Sequence, residues 1–267
     1  MTAELVSHDP ATGEEIWRGA ISDVDREVEI GRGAWAEWAA KPLTFRTETL
    51  RRFADRVKAE AETLATLIAR ETGKPLWEAR TEVESVANKV DISINSYSER
   101  TSSRRIEGAM GLRNAVRHKP HGLLAVLGPY NFPAHLPNGH IVPALIAGNA
   151  VAFKPSEKTP ATGAMLVDLY HSAGVPEAVV RLVIGGPDEG KALAGHPGID
   201  GLLFTGSART GLALNRQFAN RPDKILALEM GGNNPIVVWD TPDVHTAAIL
   251  VVQSAFLSAG QRCSNAR

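Results

Sequence analysis

The chain has 267 residues, of which 43% are hydrophobic, and its 29 basic and 30 acidic side chains leave a formal net charge of -1 at pH 7. This balance provides no basic surface for nucleic acid or an anionic membrane, and the longest apolar runs are too short to span a bilayer. The first residues lack the pattern of a signal peptide. The single cysteine cannot form an internal disulfide, and the eight histidines are scattered without metal-ligand spacing. We therefore predict a cytoplasmic protein without a metal site, whose partners include neither nucleic acid nor a membrane.

The first 121 residues are predicted to form a mainly helical region. Residues 15–21 are expected to be a short strand between turns, and Ser22-Asp23 has the composition of a helix start. Apolar residues at three- and four-residue spacing from Leu50 to Ile68 predict one long helix that ends before Gly73. A third, more polar helix is predicted over residues 76–98. Packing is the expected role of all these helices.

Residues 111–120, GLRNAVRHKP, alternate like an exposed strand that is rich in basic side chains. A strand of this kind is either a sheet edge protected by its charges or an edge that pairs with a partner subunit. The residues alone leave both possibilities open.

From residue 122 onward, short apolar runs alternate with segments that can form helices. The runs are GLLAVLG, AVAFKP, VVRLVIG, GLLFTG and KILALEM. Continuous apolarity with intervening helices predicts an α/β domain, a parallel sheet with helices on both faces, which is a dinucleotide-binding architecture by class. We assign residues 122–246 to this domain and residues 247–267 to the start of another.

The last apolar run places Glu229 at a strand end, where Met230, Gly231 and Gly232 interrupt the pattern. After an extended run at residues 236–239, an apolar helix over about residues 246–258 leads to Cys263. A thiol and a carboxylate presented by loops suit covalent catalysis, with the thiol as nucleophile and the carboxylate as base. A lone cysteine is more often a small buried hydrophobe, but the polar residues just before Cys263 argue against an apolar pocket.

The order and spacing of several motifs resemble the aldehyde dehydrogenase superfamily. These motifs are Asn131-Phe132-Pro133, Lys154-Pro155-Ser156-Glu157, Phe204-Thr205-Gly206-Ser207, Glu229-Met230-Gly231-Gly232 and Gly260-Gln261-Arg262-Cys263. The resemblance implies a Rossmann-like NAD-binding domain and oxidation of an aldehyde to a carboxylic acid through a thioester on Cys263. It assigns water activation to Glu229 and oxyanion stabilisation to Asn131 and the Cys263 amide. It also implies strand pairing between subunits near residues 111–120, and hence a homo-oligomer.

The cofactor assignments rest on the same resemblance, because the chain has no GxGxxG fingerprint. A glycine-flanked turn opens the helix after GLLFTG, and alone it is more simply a structural turn. Its place among the family motifs implies that this turn contacts NAD. The turn consists of Gly206, Ser207, Ala208, Arg209, Thr210 and Gly211. Lys154 and Glu157 are expected at the adenosine ribose, where Glu157 would repel a 2′-phosphate and so favour NAD over NADP. Residues 185–192, GGPDEGKA, match the glycine and lysine spacing of a P-loop but lack its hydroxyl residue, and we interpret them as a loop.

Family members are about twice as long, so the resemblance implies an N-terminal portion that is inactive when isolated, or a catalytically silent cofactor-binding or assembly module. Residues 128–149 most resemble the branch of the family that oxidises N-succinylglutamate 5-semialdehyde, although other aldehyde specificities remain open. Such an anionic substrate needs positive or hydrogen-bonding groups, and His135, Asn138 and His140 are candidates whose alternative role is helix packing.

Overall fold

The computed structural model describes residues 3–267. The N-terminal region begins with an antiparallel hairpin and continues with helices that pack on one another. Its elements are β1 (Glu4–His8), β2 (Glu15–Ala20), α1 (Val24–Ala40), α2 (Leu43–Ala59), α3 (Ala61–Thr72) and α4 (Leu76–Arg100). The predicted helix start at Ser22-Asp23 is confirmed, since the Asp23 carboxylate accepts a hydrogen bond from the Arg26 N–H at the beginning of α1.

The helix predicted from Leu50 to Ile68 is in fact two helices, α2 and α3, which meet at Glu60. The prediction was wrong because Val57 and Leu64 keep the apolar spacing across the break, and both are fully buried. Hydrophobic periodicity reports which side chains are buried and not whether the backbone is continuous. The predicted end is confirmed, because Gly73 follows α3 in the left-handed conformation with φ of 69°.

The exposed strand predicted within residues 111–120 is β4 (Arg113–Val116), which pairs antiparallel with β3 (Arg104–Glu107). β3 was not predicted, since it lies in the serine- and arginine-rich stretch after α4. Every residue of both strands is exposed. The hairpin therefore stands away from the core of the chain.

Residues 122–230 form the predicted α/β unit, and the Rossmann-like fold class is confirmed. Its five-stranded parallel sheet has the order β7-β6-β5-β8-β9. The elements are β5 (Leu123–Leu127), α5 (His135–Ile146), β6 (Ala150–Lys154), α6 (Pro160–Ser172), β7 (Val180–Leu182), α7 (Pro187–Gly195), β8 (Gly201–Gly206), α8 (Ala208–Phe218) and β9 (Ile225–Met230). The strand order reverses between β5 and β8, which is where sheets of this kind bind ligands.

Helices cover both faces of this sheet. Right-handed crossovers put α5 and α6 on one face, where α2 and α4 pack on them, whereas α1 and α7 contact each other on the opposite face. The central strands β5 and β6 are almost entirely buried, but β9 is an edge strand that is only partly covered. The N-terminal helices and the sheet share one hydrophobic cluster.

Two carboxylates from the N-terminal helices bind the first turns of the crossover helices. Glu71 of α3 accepts hydrogen bonds from two N–H groups at the start of α6, at 3.0 and 2.7 Å. Glu82 of α4 accepts from two N–H groups at the start of α5, at 3.0 and 3.1 Å. These contacts satisfy helix ends that would otherwise be buried without partners, and they fix the N-terminal helices against the sheet.

The chain after β9 is largely exposed. The extended run predicted at residues 236–239 joins no sheet, and only an isolated bridge links Asn234 to Ala266. α9 (Val244–Phe256) contains no buried residue and starts two residues earlier than predicted, because Asp243 caps it by accepting from the Thr246 N–H. The boundary that we drew between residues 246 and 247 thus falls inside a helix. None of the helices within residues 3–267 has the length and apolarity of a membrane span.

Candidate active site

A cleft of about 860 Å³ opens at the carboxyl edge of the sheet, between the ends of β8 and β9 and the loops that carry Asn131 and Cys263. The cleft brings together most of the residues selected from the sequence. Its lining includes Asn131, Glu157, Gly206, Ser207, Arg209, Thr210, Glu229 and Cys263. Three of the selected residues, Lys154, Ala208 and Gly211, do not line it; Lys154 and Gly211 are buried beside it, and Ala208 is exposed at the start of α8.

The Cys263 thiol is exposed and follows a loop with an unusual backbone. Ser258, Ala259 and Gly260 all have left-handed φ values, of 57°, 54° and 72°. Only glycine adopts this region without cost, so the first two positions need compensating contacts. The loop that presents the thiol is therefore held in place by its neighbours and not by its own preferences.

Glu78 of α4 supplies those contacts at Ser258. Its carboxylate accepts hydrogen bonds from the Ser258 N–H, at 2.8 Å, and from the Ser258 hydroxyl, while the Arg262 Nε donates to the same hydroxyl at 2.9 Å. Burial raises the pKa of Glu78, but the hydrogen bonds from Ser258 and the charge of Arg262 outweigh it and hold the pKa below its usual value. Glu78 is thus ionised at neutral pH. The Arg262 guanidinium forms its ion pair with Glu78, at 3.4 Å.

Asn131 is tied directly to the thiol loop. Its Nδ2 donates to the Gln261 carbonyl at 2.6 Å, and the Gln261 Nε2 donates in turn to the Thr72 carbonyl at 3.0 Å. A carboxamide NH₂ has two hydrogens, so this contact leaves one of them for a ligand. The arrangement keeps the Asn131 amide beside the loop that ends at Cys263.

A buried ion pair holds the other side of the Asn131 loop. Lys74 donates to the Glu82 carboxylate at 2.7 Å and to the Asn131 carbonyl at 2.7 Å, and both charged side chains are fully buried. The Lys74 ammonium also lies 4.0 Å from the centre of the Phe132 ring. Lys74 therefore joins α4, through Glu82, to the loop that carries the amide.

Glu229 lies at the end of β9, opposite Thr205 of β8, and its side chain is exposed to the cleft. The segment that follows is attached to the thiol loop, because the Asn234 Nδ2 donates to the Cys263 carbonyl at 2.9 Å. Asn234 thus links the backbone just after Glu229 to the backbone at Cys263.

The crossover helices differ in what occupies their first turns. The starts of α5 and α6 already hold the carboxylates of Glu82 and Glu71. At α7 the Glu189 carboxylate accepts from the Gly186 N–H at 2.7 Å. Only the Ser207 hydroxyl caps α8, and the first turn of α8 has no acidic residue. Of these four helices, α8 alone combines free first-turn N–H groups with an absence of negative charge, so an anionic diphosphate fits there.

The segment GGPDEGKA is not the loop that we predicted, because α7 begins at Pro187. Proline at the first helical position and Glu189 at the third form a good helix start. A β-carbon placed on Gly185 would lie 2.3 Å from Glu189, which shows how closely the acidic side chain covers this turn. The space that a P-loop gives to phosphate is here filled by a carboxylate.

Lys154 and Glu157 lie at the end of β6. Lys154 is buried, and its Nζ donates to the Pro155 carbonyl at 3.0 Å. Burial lowers the pKa of Lys154, and the nearby charges of Glu157 and Glu189 partly oppose this shift. Glu157 is exposed and lines the cleft, so its carboxylate can accept hydrogen bonds from ribose hydroxyl groups. Within residues 3–267 no cluster of three or more potential metal ligands occurs.

The three polar residues proposed from the sequence for substrate binding differ in role. Asn138 is fully buried, where it donates to the Val86 carbonyl at 3.0 Å and accepts from the Tyr170 hydroxyl at 2.5 Å, so it serves helix packing. His135 and His140 line the cleft.

Sequence reasoning missed Lys74, Glu78 and Glu82, which position the loops. One signal was available, since Glu78 and Glu82 are four residues apart on the same face of α4 as the buried apolar residues Val83 and Val86. Carboxylates on an apolar helix face need partners elsewhere in the fold.

A sequence model of the aldehyde dehydrogenase family matches residues 2–267. A curated relative from Sphingopyxis alaskensis, named N-succinylglutamate 5-semialdehyde dehydrogenase, is 82% identical over 267 residues, which are 100% of this chain and 56% of the relative. The chain therefore spans about half the length of the curated relatives it matches.

Solved structures with the same architecture include enzymes for either nicotinamide cofactor. The NAD-dependent benzaldehyde dehydrogenase of Corynebacterium glutamicum matches with a TM-score of 0.89 and 31% identity, over 99% of this chain and 59% of that one. The NADP-dependent glyceraldehyde-3-phosphate dehydrogenase of Bacillus halodurans C-125, solved with NADP, matches with a TM-score of 0.92 and 28% identity, over 99% and 57%. The shared fold alone thus does not distinguish the two cofactors.

Proposed function

Because the chain belongs to the aldehyde dehydrogenase family, we propose that it serves the NAD-dependent oxidation of an aldehyde to a carboxylic acid. The observation that supports this proposal is the cleft that Cys263, Glu229 and Asn131 share with the first turn of α8. A nucleophile, a base, an amide donor and an anion site within one cleft suit acyl chemistry on a thiol.

In the proposed mechanism, the Cys263 thiolate adds to the carbonyl carbon of the aldehyde. The oxyanion that forms accepts hydrogen bonds from the free Asn131 amide hydrogen and from the Cys263 N–H. After oxidation leaves a thioester on Cys263, Glu229 takes a proton from water as the water attacks the thioester carbonyl, which releases the carboxylic acid and the thiol. Glu78 and Lys74 take no part in bond making, but they hold the two loops in register.

The proposed cofactor is NAD, with its diphosphate on the first turn of α8 and its adenosine ribose beside Lys154 and Glu157. When bound, NAD supplies the hydride acceptor for the oxidation step. The Gly206–Gly211 turn would provide backbone N–H groups, and Arg209 adds a positive charge in the cleft. Glu157 distinguishes the cofactors, because a carboxylate beside the ribose disfavours a 2′-phosphate.

The proposed substrate is N-succinylglutamate 5-semialdehyde, which is converted to N-succinylglutamate. Support comes from the name of the Sphingopyxis alaskensis relative and from its 82% identity over the whole of this chain. We further propose a homo-oligomer that uses the exposed β3–β4 hairpin, whose apolar side chains Ile106, Leu112 and Val116 are at least 47% exposed. A cytoplasmic location is proposed from the single unpaired thiol.

Protection of Cys263 tests the proposed function. Iodoacetamide should label the chain once, at Cys263, and a reactive aldehyde should slow this labelling by adding reversibly to the thiol. At about ten times the aldehyde Kd, the rate should fall about tenfold, because the thiol is then free in about a tenth of the molecules. Intact mass measured over time gives the rate. A Cys263→Ser variant should not be labelled, and a labelling rate that no aldehyde changes would contradict the proposed nucleophile.

Replacement of Glu157 tests the cofactor assignment. A Glu157→Gln variant should bind NADP about tenfold more tightly than the parent chain, since about 1.4 kcal/mol of charge repulsion is removed. Calorimetric titration of NAD and NADP into both proteins measures the change. The matched control is Glu177→Gln, which neutralises an exposed glutamate outside the cleft lining. If NADP affinity does not respond to Glu157→Gln, the carboxylate does not select the cofactor.

A further inference from the structure

The side of the cleft formed by α4 and α5 carries an uncompensated positive charge. Lys89 of α4 lines the cleft and is partly buried, yet it forms no ion pair or hydrogen bond with any of residues 3–267. Arg262 pairs with Glu78, and the other cleft-lining cations without an ion pair among residues 3–267, Lys158, Arg209 and Arg267, are exposed, whereas Lys89 is partly buried. An unpaired cation that lines a cleft can bind an anionic group of a ligand.

The Lys89 side chain packs beside Gly139 of α5. A β-carbon placed on Gly139 would lie 3.7 Å from Cε of Lys89, which is an ordinary van der Waals distance, so the lysine stem lies against α5 at this position. His135 lies one turn before Gly139 on α5, and His140 follows Gly139 directly. The ammonium group is thereby brought to the same wall of the cleft as the two imidazoles.

Both histidines have unused hydrogen-bonding capacity. His135 Nδ1 is buried and has no hydrogen-bond partner within residues 3–267, and a buried polar atom of this kind usually has a water or ligand partner. His140 uses one ring nitrogen, Nε2, which lies 3.0 Å from the Thr205 hydroxyl.

The histidines themselves do not carry the positive charge at neutral pH. Burial lowers the pKa of His140 to about 4, and the charge of Lys89 adds to this shift. Burial also lowers the pKa of His135, where Glu82 opposes the shift and Lys89 and Lys74 reinforce it. Neutral imidazoles can donate N–H hydrogen bonds without competing with Lys89 for a negative charge.

The location of Lys89 in the cleft indicates which ligand would pair with its charge. The proposed cofactor contacts are on α8 and at the ends of β6 and β8, whereas Lys89, His135 and His140 lie on α4 and α5, next to the Asn131 loop. One ammonium point charge with neutral N–H donors suits a carboxylate, whereas a phosphate dianion typically takes more cations or a helix N-terminus. The first-turn N–H groups of α5 are not available, since Glu82 binds them.

We infer that Lys89, His135 and His140 form a subsite that binds a carboxylate group of the aldehyde substrate, remote from the reacting carbonyl. The inference rests on the proposed function and deepens it, because it assigns the substrate class to ω-carboxy aldehydes and names Lys89 as the residue that determines specificity. A substrate without a carboxylate would leave the Lys89 charge unpaired in the cleft.

The test compares two aldehydes that differ only in the distal group, 5-oxopentanoate and pentanal. Each is titrated against iodoacetamide labelling of Cys263, which gives an apparent Kd for each. The parent chain should bind the carboxylate-bearing aldehyde about tenfold or more tightly than pentanal, as expected for a charged hydrogen bond. Lys89→Met should reduce this preference to about one, while Lys89→Arg should retain most of it. The control Lys58→Met removes an exposed lysine outside the cleft lining and should keep the full preference.

A second measurement tests the carboxylate subsite independently of the reaction at Cys263. Calorimetry with glutarate, which has no aldehyde, should show binding to the parent chain that is at least about tenfold weaker in Lys89→Met. Binding of glutarate that depends on Lys89 supports the subsite even if no aldehyde protects Cys263, a result that would overturn only the proposed function. A preference for 5-oxopentanoate that survives Lys89→Met, or glutarate binding that ignores this substitution, overturns the subsite. A parent chain that neither prefers 5-oxopentanoate nor binds glutarate overturns it as well.

Discussion

Replacement of Lys74 by methionine should lower the free energy of unfolding by about 3–5 kcal/mol, because it leaves the fully buried Glu82 carboxylate without its counter-ion. The substitution also removes the hydrogen bond to the Asn131 carbonyl, so the amide loop loses its support from α4. Urea denaturation followed by tryptophan fluorescence measures the change. Few single substitutions at charged positions reach this size, since exposed ion pairs contribute little.

The matched control is Lys191→Met, which breaks an ion pair with Asp188 in which the two side chains are 78% and 88% exposed. Its effect should stay within about 0.5 kcal/mol. A Lys74→Met variant whose stability changes by less than about 1 kcal/mol would show that Glu82 keeps enough other partners without the lysine.

Replacement of Glu229 by glutamine should slow hydrolysis of an acylated Cys263 by about 10²–10⁴-fold, because the general base is lost. Acylation with p-nitrophenyl acetate requires no cofactor, since the thiolate attacks the ester carbonyl and p-nitrophenolate leaves. The initial burst of p-nitrophenolate then measures acylation, and the later steady rate measures hydrolysis of the thioester. Glu229→Gln should retain the burst and lose most of the steady rate, whereas Cys263→Ala should lose both.

The matched control for this measurement is Glu107→Gln, which neutralises an exposed glutamate of β3 outside the cleft lining. It should keep both the burst and the steady rate of the parent chain. A Glu229→Gln variant that hydrolyses the thioester at the parent rate would remove Glu229 from the role of base.

The sheet could be predicted because all five strands carry continuous apolar runs, including β9, which is only partly covered. β1 and β3 were missed, since both are short and rich in polar residues, and β3 is exposed along its whole length. The break between α2 and α3 was missed because the apolar spacing passes through it unchanged. α9 was predicted as a helix from its apolarity, yet its apolar side chains are exposed, because an apolar run does not show whether another surface packs on it.

At the candidate site, the sequence pointed to the residues that would meet a ligand, but not to those that position them. Cys263, Glu229 and Asn131 are in recognisable local motifs, and the structure brings them to one cleft. Glu78 and Lys74 act on loops that are distant in the sequence, and no local pattern specifies such partners. Lys89 was overlooked for the same reason, because its location in the cleft depends on how α4 packs against α5.

The contacts of Glu78 with Ser258 join residues that are 180 positions apart in the chain, and Gln261 reaches Thr72 across 189. Contacts of such long sequence separation close large loops, so we expect them to form late, after the helices and the intervening sheet have brought their partners together. We expect the loop before Cys263 to reach its left-handed backbone only once these contacts have formed. The Cys263 thiol should then be presented in this geometry only by molecules that have nearly completed folding.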